Sequence, residues 1–206
     1  FPTIVLAKDE AGCFFVVDWQ VASGFNDIAA IQERYEAEFV LMDCRFNTGT
    51  ILEECFNRNW IPARAFKTMT GFYDMQPVNP DVGKKEKYGK RIFEFRWNKQ
   101  NFTREWFSHR SGATGNFFLY RYAEFELKKE LCSEVEVELQ DKRTGKTKWE
   151  FRKTYAHEHA SDNVCLGIAF FNFLKAEQYV PKGKQTVDKK PSNEMKNQNI
   201  VSGIGL

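Results

Sequence analysis

The sequence lacks several patterns that identify common classes of protein. Its cysteines form no C-x-x-C pair, so a structural zinc site is not predicted. No apolar stretch approaches the 18 residues of a membrane-spanning helix, and the first residues do not show the basic-then-apolar pattern of a signal peptide. Lys and Arg total 30 against 28 Asp and Glu, so net charge alone does not predict a nucleic-acid-binding protein.

A nucleotide-binding phosphate loop is also missing. The sequence "GKT" at Gly145–Thr147 matches the end of that motif, but Gln140 stands where the motif needs its first glycine. The segment also reads as a hairpin turn, whereas the motif requires a strand before it and a helix after it. No ATP site is therefore predicted.

The cysteine pattern favours reduced thiols. Five cysteines are present, at positions 13, 44, 55, 132 and 165, and four of them lie in apolar segments. An odd number at scattered spacings is typical of an intracellular protein rather than a disulfide framework. We therefore expect a reducing, cytosolic setting.

The composition predicts a folded domain with an appendage. The chain has 206 residues, 42% of them apolar and 20 of them Phe, which suffices for a sizeable core. After Pro181 the sequence becomes polar and basic, so residues 177–206 are predicted to form a flexible tail behind a domain at 1–176. The sequence begins at Phe1 inside an expected strand, which suggests a fragment of a longer protein.

Hydrophobic periodicity predicts an α/β fold. Two β-rich runs flank a turn at Asp9–Gly12, and a helix, a short apolar strand, a second helix and the strand "WIPARAFK" follow. This order predicts a mixed sheet whose later strands are parallel and joined by helices. Residues 68–92 are rich in Gly, Pro, Asn and Lys and are predicted to form a long loop.

The second half of the chain contains one strong β-hairpin signal. "RIFEFRWN" and "FFLYRYAEF" are each compatible with strand or helix, and "EFELKKELCSE" is predicted to be helical. "EVEVELQDKRTGKTKWEFRKT" alternates on both sides of "RTGK", which predicts a hairpin that projects from the body. A last helix is predicted to begin with Ser161 as its N-cap.

Asp43 is the first candidate site residue, because it ends the apolar run "FVLMD". We expect that run to be a central strand buried on both faces, with Asp43 at its carboxyl end, where ligands of open α/β sheets gather. The alternative is that Asp43 caps the next turn by accepting hydrogen bonds from the amides of "NTG".

His159 and Asp162 are the other candidates. Asp162 lies three, four and seven positions before Cys165, Leu166 and Ala169, so it is predicted to point inward at the start of the last helix. A carboxylate with an imidazole three residues earlier suits a divalent metal. The alternatives are a helix-dipole partner for Asp162 and a loop histidine bonded to backbone for His159.

The order of these motifs resembles the ribonuclease H-like endonuclease domain of the large terminase subunit of tailed bacteriophages. In that family an Asp ends a strand, as in "FVLMDC", and a W-x-P strand follows, as in "WIPARAFK". An L-x-S-E element then precedes a hairpin, matched by "LCSE", and a His/Asn-x-x-Asp helix start closes the domain, matched by "HASD". The resemblance spans roughly residues 1 to 176.

The resemblance implies an endonuclease that cuts double-stranded concatemeric viral DNA during genome packaging, with two Mg²⁺ or Mn²⁺ ions. It implies that Asp43, Asp162 and His159 are metal ligands and catalytic residues. Lys67 and Arg45 are candidate DNA phosphate contacts. The basic run at 84–91 is either a further contact or a solvated loop.

The resemblance also implies partners and a location. These are double-stranded DNA, the portal or procapsid, the small terminase subunit and the cytoplasm of a bacterial host, with no membrane. The family's first strand and its leading catalytic Asp have no counterpart in this chain, and Asp9 and Asp18 are poor substitutes. Rival interpretations are therefore another ribonuclease H-like nuclease or recombinase, and a catalytically degenerate DNA-binding or assembly domain.

Overall fold

A computed structural model of the chain describes residues 1–78, 92–141, 143–155 and 159–179. Its strands are β1 (Pro2–Lys8), β2 (Phe14–Val21), β3 (Leu41–Asp43), β4 (Ile61–Phe66), β5 (Tyr73–Val78), β6 (Ile92–Asn98), β7 (Phe117–Leu119), β8 (Glu134–Gln140) and β9 (Thr147–Lys153). Its helices are α1 (Phe25–Arg34), α2 (Thr48–Arg58), α3 (Lys99–Arg110), α4 (Phe125–Leu131) and α5 (His159–Ala176). The α/β class is confirmed, and the ribonuclease H-like fold stays a prediction.

The chain divides into two compact units, and each is made of two separate stretches. The first unit comprises Phe1–Ile28 and Thr103–Gly167. The second unit comprises the described residues of Ala29–Phe102 and of Ile168–Leu206. The predicted boundary between a domain at 1–176 and a tail at 177–206 stays a prediction, since most of that tail lies outside the described residues.

The first unit contains a three-stranded sheet in the order β1-β2-β7. β1 and β2 pair antiparallel, which confirms the predicted hairpin, and β7 pairs parallel with β2. Helix α5 comes close to β1, because a Cβ atom on Gly167 would lie 2.5 Å from Cδ2 of Leu6. Glycine at this position therefore permits the close packing of α5 against the strand.

The predicted hairpin at 134–153 is also confirmed. β8 and β9 pair antiparallel in continuous register. Its turn is fixed by the carboxylate of Asp141, which accepts hydrogen bonds from the backbone N–H groups of Arg143 and Thr144, while Gly145 adopts a φ of +66°. Phe151 of β9 packs against Phe107 of α3, with ring centroids 5.1 Å apart.

The second unit contains a four-stranded sheet in the order β3-β4-β6-β5. β3, β4 and β6 are parallel, and β5 is antiparallel to β6. The predicted parallel pairing of the strands on either side of α2 is thus confirmed. Phe95 of β6 is fully buried against Phe170 and Phe173 of α5, which places the core of this unit on that face of the sheet.

The long loop predicted at 68–92 is wrong for Tyr73–Val78, which form β5. Gly and Pro favour loops, but Pro77 is tolerated here because β5 is the outermost strand of the described sheet and an edge strand can spare an N–H group. Residues 79–91 lie outside the described residues. The two ambiguous segments contain strands β6 and β7, separated by α3.

Candidate functional site

Asp43 lies at the carboxyl end of β3, as predicted, but β3 is not a central strand. It is three residues long and occupies one edge of the described sheet, where it pairs with β4 in register Asp43 to Ala63. Of its three residues, Met42 alone is buried. The expectation of a strand buried on both faces is therefore wrong, because an apolar run of this length cannot distinguish an edge strand from a central one.

The charge of Asp43 is balanced by Arg45, two residues further along the chain. Nε and Nη2 of Arg45 donate to Oδ2 of Asp43 at 2.8 and 2.6 Å, and the Arg45 backbone N–H donates to Oδ1 at 3.0 Å. Both side chains are about a third exposed, at 36% and 37%. A pair this exposed contributes about 0–1 kcal/mol, so it orients the carboxylate more than it stabilises the fold.

Lys67 lies one residue beyond the end of β4 and is exposed. Since β3 and β4 are parallel neighbours, Asp43, Arg45 and Lys67 all lie at or just beyond the carboxyl end of the sheet. This end of the sheet thus carries one carboxylate and two cationic side chains, with Lys67 four positions beyond Ala63, the register partner of Asp43. The predicted basic run at 84–91 lies outside the described residues.

His159 and Asp162 both lie in the first turn of α5, in the first unit. His159 is exposed and Asp162 is partly buried. Cys165, Leu166 and Ala169 are buried, which confirms the predicted inward face of this helix. A carboxylate in the first turn is stabilised by the positive end of the helix dipole.

The prediction that Ser161 caps this helix is wrong, because α5 begins at His159 and Ser161 lies fully buried in its first turn. A carboxylate from a different helix has the capping role. Oε2 of Glu130 in α4 accepts a hydrogen bond from the backbone N–H of Ala160 at 3.0 Å. Glu130 is 9% exposed, so this bond is shielded from water.

The Leu131–Glu134 element is held in place by Arg110 of α3. The guanidinium group of Arg110 donates to the backbone carbonyl oxygens of Leu131 at 3.1 Å and Glu134 at 2.9 Å. It also stacks over the ring of Phe107, 4.0 Å from the centroid. This contact fixes the link between α4 and β8.

The predicted metal ligands fall in different units. Asp43 lies in the second unit, whereas His159 and Asp162 lie in the first. Within the part of the chain that the structure describes, no three His, Cys, Asp or Glu side chains form a group able to hold a metal ion. Neither unit by itself fits the expected ion, and joint binding by these three residues stays a prediction.

A polar cluster that the sequence did not predict surrounds Glu94 in the second unit. This β6 residue is 1% exposed, and its carboxylate accepts hydrogen bonds from Nε of Arg64 at 2.9 Å and Nε of Arg96 at 2.8 Å. The thiol of Cys44 donates to Oε1 at 3.1 Å. Two guanidinium groups and a thiol thus surround one buried carboxylate.

The pKa of Cys44 and the pKa of Glu94 are shifted in opposite directions. Burial, followed by the hydrogen bond to Glu94, raises the pKa of the Cys44 thiol to about 12. Burial opposes ionisation of Glu94 as well, but the hydrogen bonds from Arg96, Cys44 and Arg64 outweigh it and hold the Glu94 pKa below its ordinary value. The cluster therefore consists of two guanidinium cations, one carboxylate and a neutral thiol.

A sequence signal for this cluster existed in "RIFEFRWN". Glu94 and Arg96 alternate with Phe93, Phe95 and Trp97, as the two faces of a strand require. The segment was ambiguous because aromatic runs also occur in helices. The contact with Arg64 spans 30 positions and could not be read from the sequence.

Comparison of the chain with protein-family models, with curated proteins and with solved structures gives no match. Among the described residues, no helix has both the length and the apolar character needed to cross a membrane. Any functional assignment therefore rests on the residues of this chain and on their geometry.

Proposed function

We propose that this chain is a divalent-metal-dependent endonuclease domain that cuts double-stranded concatemeric DNA during viral genome packaging, as in a large terminase subunit. The observation that carries the proposal is the position of Asp43 at the carboxyl end of β3, within a parallel β3–α2–β4 unit. Ligand-binding groups of α/β sheets gather at this end of the strands.

Two cationic residues at this end of the sheet support a DNA substrate. Arg45 and Lys67 lie at the same end of the sheet as Asp43, where they can neutralise phosphate charge. Arg45 already bonds to Asp43, so a phosphate group approaching this edge would compete with that carboxylate for the guanidinium group. The exchange would release Asp43 for chemistry at the phosphodiester.

Mg²⁺ or Mn²⁺ belongs to the same proposal. When bound by a nuclease, such ions activate the attacking water and neutralise the leaving oxygen. Among the residues that the structure describes, neither unit alone presents a complete ligand group for such an ion. The proposed contributions of the chain are the carboxylates of Asp43 and Asp162 and the imidazole of His159.

The sheet edges also agree with the proposal. The family resembled has a first strand, central in its sheet, that is missing from this sequence. In the described sheets, β1 is an edge strand of the first unit and β3 is an edge strand of the second. Each of these described sheets thus ends in a strand next to which a further strand could pair.

The proposed partners follow from the same function. Double-stranded DNA is the substrate, and the portal or procapsid and the small terminase subunit are the proposed assembly partners. The proposed setting is the cytoplasm of a bacterial host, whose reducing conditions suit five free cysteines.

A cleavage assay tests the proposal. Linear and circular plasmid DNA are incubated with the full chain and Mg²⁺ or Mn²⁺, and Asp43→Asn and Asp162→Asn are compared with Asp141→Asn. Asp141 is a matched control because, as far as the described residues show, its carboxylate bonds to backbone N–H groups of the hairpin turn alone. We expect each site variant to lose at least about a hundredfold in rate, as for removal of a group that stabilises the transition state. Cleavage that survives both site substitutions would remove Asp43 and Asp162 from the site.

A second candidate is a DNA-binding or assembly domain with a degenerate site. The observation that favours it is the Asp43–Arg45 pair, in which both carboxylate oxygens already accept hydrogen bonds. Retarded migration of DNA without cutting, with either metal present, would select this candidate. Preferential cutting of branched junctions would instead select a resolvase-like enzyme.

A further inference from the structure

Two arginines lie side by side on the sheet of the second unit. Arg64 of β4 and Arg96 of β6 are register partners on neighbouring parallel strands, and the side chain of each is 33% exposed. They share the sheet face opposite to that of Phe95 and its helix contacts, because side chains alternate along a strand. Like charges on adjacent strands repel each other, so this arrangement needs compensation.

Glu94 compensates for only one of the two charges. Its carboxylate accepts one hydrogen bond from Nε of each arginine. The nearby Cys44 adds no negative charge, since its thiol keeps the proton that it donates to Oε1 of Glu94 at 3.1 Å. The three ionised side chains therefore carry a net charge of +1.

Within the described part of the chain, the outer ends of both guanidinium groups make no hydrogen bond to an oxygen atom. Among the described residues, the terminal nitrogens of Arg96 have no hydrogen-bond partner. Nη2 of Arg64 has one long contact, 3.6 Å to Sγ of Cys44. A guanidinium group held through Nε presents its terminal N–H groups in the planar arrangement that matches two phosphate oxygens.

Asp74 moderates the charge of this face. It is the register partner of Arg96 on β5, and its carboxylate accepts a hydrogen bond from the side chain of Gln76 at 2.5 Å. An anion approaching the arginines would be repelled by this carboxylate. Removal of the Asp74 carboxylate should therefore strengthen anion binding. This expected increase in affinity provides a further test of the site.

We propose that Arg64 and Arg96 bind phosphate groups of a DNA backbone, and that Glu94 is a positioning residue that orients both guanidinium groups. The choice of DNA as the source of the phosphates rests on the proposed function, whereas the match to phosphate follows from the arginines themselves. Arg64 and Arg96 contribute affinity rather than chemistry, although Cys44, which contacts Arg64, directly follows Asp43 in the sequence. Binding of this kind is independent of DNA sequence and weakens as salt concentration rises.

The test measures binding of a short DNA duplex to the full chain by fluorescence anisotropy, over a range of salt concentrations and with EDTA present to prevent cutting. Substitution of one arginine alone would leave the buried Glu94 carboxylate underpaired and could unfold the chain. The arginines are therefore replaced in a Glu94→Gln background, as Arg64→Gln, Arg96→Gln and both together. Circular dichroism checks that each variant is folded.

We expect Glu94→Gln alone to bind DNA with an unchanged salt dependence. Each arginine removed from that background should reduce the slope of log K against log salt by about 0.9 and weaken binding about eightfold at roughly 0.1 M salt. Asp74→Asn should tighten binding. Arg58→Gln is the matched control, because Arg58 pairs with Glu54 on α2 and its loss removes the same charge from the same unit.

Three results would overturn the proposal. One is that the triple variant, without Glu94 and both arginines, keeps the salt slope of Glu94→Gln. Another is that Arg58→Gln weakens DNA binding as much as the loss of one of these arginines, which would show a general charge effect. The third is that loss of the two arginines weakens binding of inorganic phosphate, as measured by calorimetry, but leaves DNA binding unchanged. This result would exclude DNA as the ligand. Cleavage with Mg²⁺ or Mn²⁺ is scored separately, so failure of the nuclease function leaves this binding result interpretable.

Discussion

Glu130 and Ala160 are 30 positions apart, and the Glu130 carboxylate accepts a hydrogen bond from the Ala160 backbone N–H at 3.0 Å in a buried environment. The bond joins α4 to the first turn of α5, the turn that carries His159 and Asp162. A carboxylate at this end satisfies a backbone donor that the helix itself cannot pair and also complements the helix dipole. Glu130 therefore fixes the start of the helix on which two of the three candidate site residues lie.

Replacement of Glu130 should destabilise the first unit. Glu130→Ala leaves the Ala160 N–H buried without its acceptor, so we expect the free energy of unfolding to fall by about 1–3 kcal/mol. Glu130→Gln keeps an acceptor oxygen and should lose less. Urea unfolding followed by circular dichroism measures both, and Glu124→Ala is the control, since Glu124 is exposed and its side chain makes no capping bond. Equal stability of the Ala variant and the native chain would contradict the capping role.

The Glu94 cluster predicts a specific pH dependence of stability. Because the folded pKa of Glu94 lies below its ordinary value, its ionised form stabilises the fold at neutral pH. This contribution is present above about pH 4.3, the pKa of an unperturbed Glu, and is lost as pH falls through the lower folded value. Urea unfolding of the native chain and Glu94→Gln, at neutral pH and at acid pH, should give a difference that shrinks on acidification. A difference that is constant across this range would contradict the ionised cluster.

The cysteines should differ in reactivity. None of the five, all of which the structure describes, forms a disulfide, but Cys44, Cys55 and Cys165 are buried whereas Cys132 is exposed. Burial raises the thiol pKa of Cys44 and of Cys55, so both are protonated and inert at neutral pH. A thiol-reactive dye should label Cys132 rapidly in the folded chain and all five after denaturation, with Cys132→Ser abolishing the rapid phase. Rapid labelling of Cys44 in the native state would contradict its burial.

Local patterns predicted much of the fold. The β1–β2 turn, the 134–153 hairpin, the buried face of α2 and the strand β4 all follow from periodicity and turn chemistry within short windows. Asp43 and Asp162 were placed correctly at a strand end and in a first helical turn for the same reason. Such features depend on residues that are close together in the sequence.

The errors concern relationships between distant residues. Nothing near Tyr73–Val78 indicates that β6 would pair with it and convert a Gly- and Pro-rich segment into an edge strand. The local pattern predicts Ser161 as the cap of α5, because the actual capping residue, Glu130, is far away in the sequence. Similarly, the position of β3 at a sheet edge depends on strand order, which an apolar run does not encode.

The central claim is that Asp43 and Asp162 both serve a divalent cation, and Mn²⁺ uptake tests it most directly. Electron paramagnetic resonance measures free Mn²⁺ during titration of the native chain, Asp43→Asn, Asp162→Asn and the Asp141→Asn control. We predict that each site variant binds Mn²⁺ at least about tenfold more weakly, as expected when one ligand or its close support is lost, while the control binds like the native chain. Uptake by both site variants that equals the native chain would contradict the claim.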